Sequence, residues 1–60
     1  MANTTLRGPI GEVKRWITRE EGRGTVVTSD MVWSRIRKKY AYLDEADQET
    51  MFQEAEDFRV

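Results

Sequence analysis

The chain has 60 residues, 35% of them charged, a formal net charge of −1, and neither cysteine nor histidine. A chain this short buries only about 60% of the surface it exposes when unfolded, and it lacks the residues for a disulfide or a Cys/His zinc site that would reinforce so thin a core. Close helix packing, or burial of apolar surface against another chain, must supply the rest, so a homodimer or an obligate protein partner belongs to the expectation.

Residues 1–8 read as a loose N-terminal arm with Leu6 as its sizeable apolar anchor, and residues 9–60 as a single three-helix domain. Pro9 suits a first helical turn, where its missing N–H costs nothing. Ile10, Val13 and Ile17 then recur at helical spacing with Trp16 at the edge of their face, which places a first helix at 9–21. Gly22, supported by Gly24, is its expected stop. Thr25-Val26-Val27 is β-branched and short, so an extended segment is expected near 25–27.

Thr28-Ser29-Asp30 offers three side chains able to accept from orphan backbone N–H groups and opens a second helix at 29–40. Its inward face is Val32, Trp33, Ile36 and Tyr40. Asp44 is the next N-cap, Leu43 a staple before it, and a third helix at 45–58 carries Met51, Phe52, Ala55 and Phe58 as its apolar stripe. The fold class is mostly α, a compact three-helix domain. The two tryptophans, Trp16 and Trp33, are expected at the centre of its core, the alternative being that one is partly exposed as an interface anchor.

This layout resembles the start of a winged-helix or helix-turn-helix domain, through Gly24 to Val27, the Thr28-Ser29-Asp30 opening and the turn from Tyr40 to Asp44. Such a resemblance implies that the helix after the turn enters the major groove of DNA. Here that helix is the acidic one, and carboxylates facing phosphates oppose the main source of affinity.

Charge is split along the chain. Residues 1–40 hold nine basic and four acidic side chains, a local charge of +5, while residues 41–60 hold one basic and seven acidic, a local charge of −6. No apolar run approaches the ~20 residues of a membrane span. The first residues lack a secretory signal's apolar stretch. A soluble, cytoplasmic protein without membrane contact is therefore expected.

Catalysis is not expected. Without histidine there is no His general base, no Ser-His-Asp triad and no HExxH site. Gly22-Arg23-Gly24 lacks the lysine and hydroxyl of a phosphate loop, and Asp44, Glu45, Asp47 and Glu49 lack the spacing of a calcium loop. No cofactor, metal or small-molecule substrate is expected.

The basic cluster at the end of the second helix carries the functional expectation. Arg35 lies at i,i+3 and i,i+4 from Lys38 and Lys39, like-charge pairs unfavourable by roughly 0.2–0.5 kcal/mol each. Two readings offset that. The cations can complement the helix C-terminus and the acidic start of the third helix. Alternatively they form an anion-binding surface, since Met31, Arg35, Lys38 and Tyr42 share an outer stripe, joined by Arg37 and Lys39 and by Lys14, Arg15 and Arg19 of the first helix. Glu45, Glu49 and Glu56 form the expected acidic interaction face. Two functions follow: a small protein-interaction module (regulator, inhibitor or assembly factor) that binds another protein or a second copy, or a nucleic-acid-binding protein using the basic cluster.

Overall fold

The computed structural model describes residues 6–59, and three α-helices account for most of them: α1 (Arg7–Gly22), α2 (Ser29–Lys39) and α3 (Glu45–Arg59). The mostly-α three-helix architecture is the one the periodicities predict. Helix bounds differ from the expected ones by two residues or fewer. The segment 25–28 is irregular, and no strand forms among the described residues.

α1 begins earlier than Pro9 because Leu6, only 1% exposed, is part of the core and fixes the helix entry. Of the expected loose arm, Leu6, Arg7 and Gly8 are thus ordered structure, and residues 1–5 lie outside the described residues. Pro9 becomes the third helical residue, still within the turn whose N–H groups have no intrahelical acceptor. At the other end the chain leaves through Gly24, with φ of 92°, rather than through Gly22. Gly24 N–H donates to the Glu21 carbonyl at 3.0 Å and Thr25 N–H to the Glu20 carbonyl at 2.9 Å. This paired closure requires a left-handed residue, which glycine adopts without strain.

α2 starts where the Thr28 hydroxyl accepts from the Met31 N–H at 3.3 Å, and α3 where the Asp44 carboxylate accepts from the Asp47 N–H at 3.0 Å. Both caps fall at residues expected to open helices. α3 packs closely on both α1 and α2. Val13 and Ile17, Val32 and Ile36, and Met51 and Ala55 each stand four residues apart and meet, with Leu6, Val27 and Tyr40, in one buried cluster.

The third-helix stripe needs one correction. Phe58 is 46% exposed, because it falls near the end of α3 beyond the cluster, and Gln48 is buried in its place at the start. The Gln48 amide donates to the carbonyls of Tyr40 at 3.2 Å and Leu43 at 3.0 Å, bracing the α2–α3 turn, in which the Tyr40 carbonyl also accepts from the Leu43 N–H at 3.0 Å. The tryptophans also depart from expectation. Both are half-buried and flank the core, Trp33 stacking on Phe52 with ring centroids 4.5 Å apart.

Candidate functional site

α1 and α2 meet mainly through side chains, and an open groove of about 590 Å³ lies between them. Trp16, Met31, Ser34, Arg35, Lys38 and Lys39 line it. Apolar surface from Trp16 and Met31 is thereby bordered by three cations.

One carboxylate organises these cations. Glu12, on the side of α1 facing α2, accepts from Arg35 Nη2 at 2.8 Å and from the Tyr40 hydroxyl, and Lys39 Nζ lies 3.8 Å away. The Arg35 guanidinium also lies over the Trp16 ring, 4.7 Å from its centroid. It is held between a carboxylate and an indole, and its buried Nε–H finds no acceptor among the described residues.

The protonation states follow from this geometry. Burial pushes the Glu12 carboxyl up, but the hydrogen bonds from Tyr40 and Arg35, with the charges of Arg35 and Lys39, outweigh it and hold Glu12 below its ordinary value. Burial is also the largest influence on Tyr40. Together with the hydrogen bond to anionic Glu12, it raises the phenol to about 12. At neutral pH the unit is therefore a carboxylate clasped by a phenol and two cations.

The expected site residues separate into three groups. Met31, Arg35, Lys38 and Lys39 converge on the groove. Among its cations, Lys38 alone makes no ion pair with a described residue, since Arg35 and Lys39 both face Glu12. Arg37 turns to the opposite side, over the Trp33 ring at 4.5 Å and 3.7 Å from Glu45. Arg35, Arg37 and Lys39 thus have acidic partners within the chain, whereas Lys38 has none among the described residues. Helix-dipole complementation is not the whole account: Glu12 of α1 pairs with Arg35 and Lys39.

Lys14, Arg15 and Arg19 lie elsewhere, around a second hollow with Thr18 and Phe58. Lys14 sits 5.7 Å from the Phe58 ring centroid and 3.6 Å from Glu54. Tyr42 lines neither hollow. Its ring is 74% exposed, with its centroid 6.1 Å from that of Tyr40.

The three residues of the expected acidic face differ in their surroundings. Glu49 is exposed, and Glu45 is exposed beside Arg37. Glu56 belongs to a structural network: it accepts from the Ser29 hydroxyl at 2.9 Å and from Arg59 Nη2 at 2.8 Å, while Arg59 Nη1 donates to the Val27 carbonyl at 3.0 Å. The Arg59 hydrogen bond holds the Glu56 carboxyl below its ordinary value. This network ties the C-terminal turn of α3 to the start of α2 and leaves the Glu56 side chain 20% exposed. No cluster of three acidic side chains able to hold a metal ion occurs among the described residues. Nor is any described helix long and apolar enough to cross a membrane.

Sequence reasoning did not single out Glu12, Ser34 or the groove-lining role of Trp16. A signal existed for Glu12: it precedes core residue Val13 and stands four residues before Trp16, so it shares the half-buried edge of that helix. No family model matches this chain, and no curated protein or solved structure does.

Proposed function

We propose that the protein is a non-catalytic interaction module whose α1/α2 groove takes an acidic protein segment bearing a large apolar side chain. The observation that carries this reading is the pairing of a Trp16–Met31 floor with a cationic border that Glu12 and Tyr40 hold in place. A prepositioned aromatic anchor loses little conformational entropy on binding, and tryptophan and arginine are enriched where binding energy concentrates. Lys38, exposed and without an ion pair among the described residues, supplies the charge that selects an acidic partner and speeds encounter.

The same features argue against nucleic acid. Affinity for phosphates scales with the number of cations that can neutralise them. Arg35, Arg37 and Lys39 already face carboxylates, and the helix after the turn presents Glu45, Glu49 and Asp57 to solvent.

The test uses Trp33→Phe, which leaves Trp16 as the sole indole, titrated with a short acidic peptide containing one leucine or phenylalanine. A shift in Trp16 emission that weakens tenfold or more in Lys38→Glu supports the reading. Binding of duplex DNA instead, falling steeply with salt, overturns it in favour of a nucleic-acid function.

A further inference from the structure

Building on the groove reading, we infer that a second copy of this chain occupies the groove: the turn between α2 and α3 of each protomer seats Tyr42 on the Trp16–Met31 floor of the other. Tyr42 is a large ring 74% exposed, and the turn carrying it leads directly into Asp44, Glu45 and Asp47. An aromatic ring followed by carboxylates is the chemistry selected by an apolar floor bordered by Lys38, the groove cation without an ion pair among the described residues.

Position supports the match. The Tyr42 ring lies against Tyr40, whose hydroxyl is bonded to Glu12, and Glu12 in turn contacts Arg35 and Lys39 of the groove. Turn and groove thus share the C-terminal end of α2. Two adjacent, complementary patches on one molecule can meet their counterparts reciprocally about a two-fold axis, so the assembly closes as a dimer rather than growing into a chain. The outer face of α3 suits the groove less well. Glu45, Glu49, Thr50, Gln53 and Asp57 are exposed there, and they offer no apolar group to the floor.

Size sets the strength. A standard interface removes about 800 Å² per partner, roughly a fifth of the 4126 Å² that this molecule exposes. Each protomer contributes one short turn and one open groove, so the dimer is weak and concentration-dependent, and its border charges make it sensitive to salt.

Sedimentation of the full chain from about 10 μM to about 1 mM tests this, since mass action then reveals a weak dimer. The expected result is reversible dimerisation that weakens tenfold or more in Tyr42→Ser and in Lys38→Glu. Tyr42 is 74% exposed and meets the core only through its edge contact with Tyr40, so unchanged circular dichroism and Tm verify that Tyr42→Ser keeps the fold. Mixing Lys38→Glu with Glu45→Lys restores dimerisation, because each variant dimerises poorly alone while the mixed pair sets opposite charges together in both contacts. A chain that stays monomeric throughout, yet whose groove still binds the acidic peptide, overturns the self-occupancy and leaves the groove reading standing. A monomer that binds no peptide overturns both. Dimerisation unaffected by Tyr42→Ser places the interface elsewhere and also overturns the inference.

Discussion

Replacing Tyr40 by phenylalanine isolates the contact that fixes the groove. Tyr40 is 7% exposed, so the ring keeps its packing, and the substitution removes only the hydroxyl donated to Glu12. A hydrogen bond to a charged group contributes about 1.5–3 kcal/mol, and burial prevents water from fully replacing it. In a domain of this size each kcal/mol moves the midpoint by about 4–8 °C, so Tm falls by about 6–24 °C. Thermal and urea unfolding followed by circular dichroism at pH 7 measure the loss. Glu12→Gln should cost more, because it also strips Arg35 and Lys39 of their counter-charge. Since all these groups share one carboxylate, the double variant should lose less than the two singles together, with a coupling of about 1 kcal/mol or more. A Tyr40→Phe cost below about 0.5 kcal/mol, or strict additivity with Glu12→Gln, would refute the idea of a cooperative clasp.

The same unit makes stability depend on pH at both extremes. Tyr40 ionises at about 12 in the fold against an ordinary 10.0, so its contribution is full below pH 10 and is lost as pH rises through about 12. In Tyr42→Phe, where it is the sole tyrosine, absorbance at alkaline pH should show that raised value, and adding Glu12→Gln should lower it. Glu12 and Glu56 titrate below an ordinary 4.5, so their contributions are full above that value and fall away as pH drops through the lowered ones. Tm measured from pH 6 to pH 2 should therefore be flat and then decline, and Glu12→Gln should shrink the decline. Gly24→Ala, forced to φ of 92°, should cost about 1 kcal/mol, whereas Gly22→Ala, with open space at its Cβ and a helical backbone, should stabilise by a few tenths to about 1 kcal/mol. Chemical denaturation of the pair checks the contrast.

The helices were legible because each writes its apolar positions at i and i+4, and α2 and α3 also open on capping side chains, Thr28 and Asp44, which α1 lacks. These are local signals. What escaped depends on how the helices meet. Arg35 and Lys38 look equivalent on one helix, yet only the arrival of α1 brings Glu12 to Arg35 and leaves Lys38 without an ion pair among the described residues. Glu56 reads as one more surface carboxylate until α3 brings it and Arg59 against Ser29 at the start of α2. Phe58 fits the periodicity of its helix but lies past the end of the core, a limit set by the other two helices. The groove itself was half visible: Met31, Arg35, Lys38 and Lys39 were grouped by spacing, while Trp16 on another helix joined them through packing alone.

The most direct test of the groove as the binding surface is heteronuclear NMR on the isotopically labelled chain, with the acidic, leucine- or phenylalanine-containing peptide titrated in. The groove account predicts shifts concentrated at the Trp16 indole N–H and at the amides of Met31, Ser34, Arg35, Lys38 and Lys39, with little change at Arg15, Arg19 and Phe58. Shifts centred instead on Arg15, Arg19 and Phe58, or spread evenly over the surface, would contradict it.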